Sequence, residues 1–278
     1  MSMQETEAGA EAPAYVVINK VECVSFSNSK ERKRNMRWCM NKHRKIRRLF
    51  DMPMPKEEER TDIAIVAGGP SLNDTFEEVK KYKYIMTCGS VHDHAIKLGI
   101  KPTYHVECDP SHYQIRNYHE DSNANYLVSS RCNKVMFKKL QDRNVFLWHM
   151  WEQDLGKPIY QGEPAFVCGA TVTLSAIPIA IALQFKHMHF FGFDSSFKDK
   201  EQHHAYHQPE KAQMLKIKVG DQINGKEFET TATWVGQAQQ FEDMQNHWGF
   251  KSTFYGESLM AEIQRIRTLE LAKENKHE

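Results

Sequence analysis

No Cys-x-x-Cys pair occurs in this sequence. Its six cysteines, Cys23, Cys39, Cys88, Cys108, Cys132 and Cys168, stand apart from one another. That scatter argues against a zinc ribbon or a disulfide scaffold and fits reduced thiols in a cytoplasm. No apolar run approaches the roughly twenty residues needed to cross a bilayer. The opening segment, MSMQETEAGAEAPA, is acidic and lacks the apolar core of a secretory signal. It reads as a disordered tail over residues 1–14, and the expectation is a soluble, cytoplasmic protein. Neither a Gly-x-Gly-x-x-Gly fingerprint nor a Walker loop is found, and no internal repeat is visible.

What the sequence does have is enough apolar material for a core. Hydrophobic residues make up 40% of the 278 and aromatics 11%, which excludes wholesale disorder. The net charge of +1 hides an asymmetry: about half the residues from Lys30 to Arg48 are Lys or Arg, and the remainder is mildly acidic. This basic segment reads either as a solvated helix docked by its few apolar residues or as a contact for a polyanion such as nucleic acid. No aromatic stacking pattern or nucleic-acid motif takes the second reading further.

Residues 15–60 are expected to form an N-terminal extension, with a strand over 15–26, the basic helix, and a Pro- and charge-rich linker at 52–61. From residue 61 onward, short apolar runs alternate with helical stretches. The runs are IAIVAG, YIMTC, YHVEC, YLVSS, VFLWHM and later MHFFGFD. That rhythm predicts an α/β, Rossmann-like domain over 61–278, a mostly parallel sheet with helices on both faces. VCGATVTLSAIPIAIALQF (167–185) is too apolar for a surface helix and is expected to be a buried central one. Helices are also expected in WVGQAQQFEDMQNHWG and ESLMAEIQRIRTLELAKENK, with a strand at KSTFYG between them.

Strand ends carry the candidate chemistry. In GGPSL, Gly68 and Gly69 permit positive φ and close ligand approach, Pro70 suits a turn, and Ser71 or Asn73 can cap a helix starting near Asp74. The free amides of such a helix would face a phosphate; taken alone, the stretch is equally an ordinary strand-to-helix turn. Ser90 closes a second small-residue turn, and Glu107 and Asp109 end a third strand. In a parallel sheet these ends share one crevice. Asp109 can accept from a ribose or sugar hydroxyl, or cap the segment SHYQIRNY. Arg131, in SSRCN, adds a cation.

GGPSL after a strand, GIKPTYHVECDP, the CGATVTLSAIPIAIALQFKHMHFFGFDSSF block and HHAYH resemble the MptE-like (6-hydroxymethylpterin diphosphokinase-like) family. That family includes motility accessory factor glycosyltransferase-like proteins and is similar to family 42 sialyltransferases. The resemblance spans roughly residues 60 to 260 and implies a nucleotide-gripping domain. Pyrophosphokinases of this group carry a doubled acidic signature that holds Mg²⁺ on ATP, whereas VECDP and GFDSS show single acids here. The resemblance therefore implies glycosyl transfer from a nucleotide sugar of CMP type, with no tightly bound cofactor. ATP- and Mg²⁺-dependent pyrophosphoryl transfer to a pterin, or a silent nucleotide- or nucleic-acid-binding module, are the alternatives. By the same resemblance, Gly68, Gly69, Pro70 and Ser71 cradle the phosphate, Asn133 contacts the nucleotide sugar, and Gly169, Thr171 and Asp194 line the site from the second half.

An inverting transfer needs a base with a pKa near neutrality, which suits histidine. His204 is the first candidate and His207 the second, in the loop DSSFKDKEQHHAYH; a plain polar surface loop is the competing reading. A metal held by His203, His204, His207 and Asp199 is the lesser reading, with no cysteine pair beside them, so no metal is assigned. His92 and His94 are expected at the surface, with His92 also within reach of the crevice, and His187 and His189 are read as structural. Tyr113 and Tyr206 are further phosphate-contact candidates, and Trp148, Met150 and Trp151 are read as core before acceptor platform. Oligomeric state is left open, a homo-oligomer included.

Overall fold

Alternate residues of the segment Asp62–Val66 enter different cores. Ile63 and Ile65 join one apolar cluster and Ala64 and Val66 another. That is what a continuous apolar run becomes when a parallel strand is covered on both faces. The computed structural model describes residues 29–42, 46–119, 122–151, 163–199, 202–206, 214–220 and 225–274. The tail at 1–14 and the strand expected at 15–26 lie outside the described residues.

The strands are Arg47–Arg48 (β1), Asp62–Val66 (β2), Ile85–Cys88 (β3), Tyr104–Glu107 (β4), Asn125–Ser129 (β5), Val145–Met150 (β6), Ala165–Phe166 (β7), His187–Phe191 (β8), Leu215–Val219 (β9), Lys226–Thr230 (β10) and Lys251–Tyr255 (β11). The helices are Ser29–Lys42 (α1), Leu72–Val79 (α2), Val91–Lys97 (α3), Lys134–Lys139 (α4), Val172–Ala182 (α5), Ala232–Trp248 (α6) and Leu259–Glu274 (α7). The main sheet runs β1-β6-β5-β4-β3-β2-β8-β11, with β7 also on β6, and its described pairings are parallel. β9 and β10 form a separate antiparallel ribbon. This is the α/β, Rossmann-like arrangement expected from the sequence.

From β2 the chain steps outward through β3, β4, β5 and β6, then returns to lay β8 on the other side of β2. The order reverses there, and crevices at the carboxyl ends of strands open at such reversals. One face of the sheet is covered by α5, which packs on β2, β3, β4 and α6. Residues Thr173–Ala180 of α5 are all buried, which explains why the helix shows no polar stripe. On the opposite face, Leu72 and Val79 of α2 and Val91 and Ala95 of α3 close on Ala64, Val66, Ile85 and Phe191. α6 ends at Gly249, whose φ of +64° gives the left-handed cap that L side chains resist.

The basic N-terminal helix is docked. Met36 and Cys39 of α1 are buried, and Cys39 shares a cluster with Met136, Phe137 and Leu140 of the α4 region. Buried Asn35 donates from Nδ2 to the carbonyls of Pro110 (2.9 Å) and Arg131 (3.0 Å), tying α1 to two strand-end loops. The chain then adds β1 to the sheet beside β6 and buries Leu49 and Met52 in the main core. Segment 47–52 thus packs with the main sheet and its core. Asn35→Ala leaves two buried carbonyls without their donor, so a loss of about 1–3 kcal/mol is expected in urea unfolding. An unchanged midpoint would mean that α1 is not held this way.

Candidate functional site

A cavity of about 780 Å³ opens where the loops after β2, β3, β4 and β8 meet. These loops bring Gly68 and Gly69, Gly89 and Ser90, Glu107 and Asp109, and Asp194 to Ser196 to one wall. The start of α5 (Thr171 to Thr173), the 203–206 segment, Gln114 and Arg116, and Trp234 and Gln237 of α6 close the rest. Among the sequence candidates, Gly68, Gly69, Ser90, Asp109, Thr171, Asp194 and His204 therefore share one cavity. Pro70, Ser71, Arg131, Asn133 and Gly169 do not line it. His207 lies outside the described residues.

The GGPS corner works differently from the sequence expectation. Its anion is part of the protein: Asp194 Oδ2 accepts from the Ser71 N–H (2.8 Å) and Oδ1 from the Ser71 hydroxyl (2.5 Å). Ser71 precedes α2 but makes no side-chain cap, because its hydroxyl is turned to Asp194, and α2 begins at Leu72 rather than near Asp74. Asn73 is not the cap either; its Nδ2 donates to the Ala205 carbonyl (2.8 Å). Gly68 and Gly69 are not in the positive-φ region. Gly69 is needed for packing, since a Cβ there would stand 2.5 Å from the Gly192 carbonyl oxygen and 2.6 Å from the Asp194 carboxylate. The Gly69 N–H donates to that same carbonyl (2.7 Å). The corner is thus a clasp between the β2 and β8 loops, and only its Gly68 and Gly69 side faces the cavity.

Main-chain donors that face the cavity lie instead at the start of α5. Thr171 caps the helix by accepting from the Leu174 N–H (3.3 Å), and it is held by Gln237 Nε2 (3.2 Å). The N–H groups of Val172 and Thr173, both lining the cavity, carry no hydrogen bond to another described residue. Amides at the positive end of an eleven-residue helix attract negative charge. Gly169 serves this arrangement indirectly: a Cβ there would meet Leu174 at 2.4 Å, so it lets the loop fold back onto α5.

The remaining candidates resolve by their hydrogen bonds. Asn133 caps α4 by accepting from the Val135 N–H (3.1 Å) and donates to Glu31 (3.2 Å), so it is structural. Arg131 is buried against Met150, and its carbonyl receives Asn35. Asp109 accepts from the Ser111 N–H (2.7 Å) and Gln114 Nε2 (2.7 Å), shaping the loop it stands on, and Ser111 is the cap of the 3₁₀ turn that follows. Ser90 shares a hydrogen bond with the Tyr206 hydroxyl. His92 is buried rather than at the surface, bonded to Thr87 (2.7 Å) and Ser122 (3.0 Å), and burial pushes its pKa down to about 3. Tyr113 stays exposed and off the cavity lining, and Trp148 is core.

His204 is held in one orientation. Its Nδ1 lies 3.1 Å from the Gly68 carbonyl oxygen, and a carbonyl can only accept, so Nδ1 donates there and, in the neutral ring, Nε2 is the basic nitrogen. Its ring stacks on Tyr206, with centroids 5.2 Å apart. Cys88 is no competing nucleophile, because burial pushes its thiol far above the ordinary range.

Sequence reasoning placed Glu107 at a strand end in the crevice without its bonding, and it missed two further features. Glu107 is fully buried at the end of β4 and accepts from the Cys108 and Asp109 amides (2.9 and 3.0 Å). Ser195, inside GFDSS, has a φ of +52°, unusual for a side-chain-bearing residue, and its buried hydroxyl lacks a partner among the described residues. Arg116 alone supplies Lys or Arg to the described lining, against Asp93, Glu107, Asp109 and Asp194. Only the small-residue strand ends hinted at any of these.

Residues 34–200, more than half of the chain, match the family model of 6-hydroxymethylpterin diphosphokinase MptE-like proteins. The chain belongs to the MptE-like family. The match begins inside α1, earlier than the sequence resemblance from about residue 60, in keeping with the docked N-terminal helix. It ends before His204. Among solved structures, this MptE-like chain is similar to the MAf glycosyltransferase from Magnetospirillum magneticum AMB-1, with 17% identity and a TM-score of 0.57. The similarity covers 73% of this chain and 33% of that one, so the MptE-like chain spans about a third of its neighbour's length. It shows a shared fold. No curated protein sequence matches.

Burial is the main cause that pushes the Asp194 carboxyl up to about 6, while the Ser71 donors pull it down. Folded protein thus keeps a proton that the unfolded chain releases near pH 4. The stabilisation from this group is complete below about pH 4 and is lost as pH rises through 6. The change is on the order of 3 kcal/mol. Asp194→Asn should flatten that part of the stability–pH profile in denaturant unfolding; a profile identical to wild type would show that Asp194 does not titrate as described.

Proposed function

We propose that this MptE-like chain is a nucleotide-dependent transferase, acting as a glycosyltransferase on a nucleotide sugar of CMP type. Family membership and fold together support a transferase-like role. One observation carries the finer reading: His204, oriented by its Nδ1 bond to the Gly68 carbonyl, shares a cavity with Val172 and Thr173 at the start of α5. Their amides would receive the phosphate of the donor and stabilise the charge that grows on it as the glycosidic bond breaks. Nε2 of His204 would take the proton of the acceptor hydroxyl. The carboxylates of Glu107 and Asp109 and the hydroxyls of Ser90 and Thr173 suit the ribose and sugar hydroxyls. Tyr206, bonded to Ser90, stands beside the base. The glycosyltransferase name of the structural neighbour agrees with this assignment.

A second reading rests on the excess of acid in the lining. Four carboxylates face one arginine, a balance that suits phosphates arriving with Mg²⁺, which needs only one or two protein carboxylates. Pyrophosphoryl transfer from ATP to a pterin-like alcohol would then be the reaction, as the family's name suggests. It predicts AMP as product and strict Mg²⁺ dependence.

Two measurements test the proposal. CMP, at about a hundredfold excess over its Kd, should stabilise the fold by about 2.7 kcal/mol and raise the melting temperature. Flat melting curves across a panel of nucleotides would overturn the assignment, and a response confined to ATP with Mg²⁺ would select the second reading. His204→Ala should lower turnover about 10²- to 10⁴-fold while leaving nucleotide affinity in place. An unchanged rate would remove His204 as the base.

A further inference from the structure

At the opposite end of the sheet from the cavity, three side chains converge that the proposed reaction does not use. Asp62 opens β2 and His187 opens the neighbouring β8, where Asp62 is in register with His187 and Ala64 with His189. Because alternate strand residues share a face, Asp62, His187 and His189 lie on the same side of the sheet. Each offers one ligand atom, and the three atoms lie within 4.8 Å of one another. We propose that Asp62, His187 and His189 form a binding site for a divalent transition-metal ion of the zinc class, with water completing a tetrahedral shell.

The distances suit that ion. Tetrahedral N and O donors at zinc bond lengths stand about 3.3 Å apart. Asp62 Oδ1 lies 2.8 Å from His189 Nε2 and 3.7 Å from His187 Nδ1, bracketing that value. The far nitrogen of each imidazole is also held. His187 Nε2 is bonded to the Thr253 hydroxyl (2.8 Å), and His189 Nδ1 to the hydroxyls of Tyr82 (2.9 Å) and Tyr255 (3.2 Å). Such outer partners fix ring orientation in metal sites.

A simple Asp–His ion pair would need only one imidazole. Here a second ring stands with its centroid 4.0 Å from the first and aims its nitrogen at the same carboxylate oxygen. Burial and the neighbouring His189 hold His187 below its ordinary pKa, which favours the neutral ring a metal requires. The Asp62 and His187 side chains keep 45% and 30% exposure, so an ion and a water have access from one side. Two imidazoles with one carboxylate favour zinc-class ions over Mg²⁺ or Ca²⁺. A bound ion would fasten the amino ends of β2 and β8, the two strands whose far ends are joined by the Ser71–Asp194 clasp.

The test uses the full chain, stripped of metal with a chelator and titrated with CoCl₂. One Co²⁺ per chain is expected, with the visible absorption of four-coordinate cobalt, bleached by ZnCl₂, and a higher melting temperature on loading. Asp62→Asn should weaken Co²⁺ binding at least about tenfold, and His187→Gln should remove the absorption band. No band in the natural chain would overturn the proposal. So would the same titration in both variants, which would place the ion elsewhere, for example among the histidines near 203. If either variant fails to fold, X-ray absorption of the zinc-loaded natural chain decides: a shell with two imidazoles supports the site, and one without them overturns it.

Discussion

The Ser71–Asp194 clasp is the contact on which the cavity depends. It joins the loop after β2 to the loop after β8, the two strands that flank the reversal in sheet order. Loops leaving such neighbours tend to diverge, and here a buried carboxyl bonded to both the amide and the hydroxyl of one residue holds them together. Gly69 and Gly192 make the approach close enough, since a Cβ on Gly192 would come within 2.4 Å of the Ala67 carbonyl oxygen. Gly192 also takes a φ of +63°. The Gly68 carbonyl is thereby fixed, accepting from the Ala205 N–H (2.9 Å) and from His204 Nδ1 (3.1 Å). The orientation of the candidate base thus follows from a packing contact one residue away.

The clasp also explains how a phosphate-turn motif can mislead. GGPS has the composition of an anion nest, and an anion does sit on it, but that anion is Asp194, more than a hundred residues further on. Nothing local to GGPS could disclose this, because the pairing depends on β8 being laid beside β2. Asn133 shows the same limit. The family resemblance implied a nucleotide-sugar contact, and its position before α4 also makes it a cap. Element positions were legible because they rest on local periodicity: the apolar runs became strands, and α5 was recognisable from the lack of a polar stripe. Roles that depend on a distant partner were not legible. His92 is the clearest case, since its helix start suggested solvent while Thr87 and Ser122 enclose it.

Electrostatics separate the two walls of the cavity. Acidic side chains gather at the ends of β4 and β8, and main-chain amides at the start of α5 provide the facing positive potential. Backbone donors suit this position because they need no side chain that would otherwise pair with the nearby carboxylates. A lysine there would be drawn to Glu107 or Asp109, whereas an amide fixed by helix geometry stays directed at its ligand. On the proposed function, one wall takes hydroxyls and the other a phosphate, with Arg116 the arginine among the described lining residues.

The chain also divides the site between two kinds of scaffold. The strand-end loops and the start of α5 fall within the span shared with the family, residues 34–200. His204, Tyr206, Trp234 and Gln237 come from beyond it. The cavity wall built from strand ends and the start of α5 is set by the fold. The 203–206 segment is fixed to that frame through the Gly68 carbonyl, the Ser90 hydroxyl and the Asn73 side chain. On the proposed function, the phosphate contacts come from the start of α5 and the base from the segment that follows residue 200. That division gives a physical reason why one fold can serve both diphosphokinase-like and glycosyltransferase-like proteins.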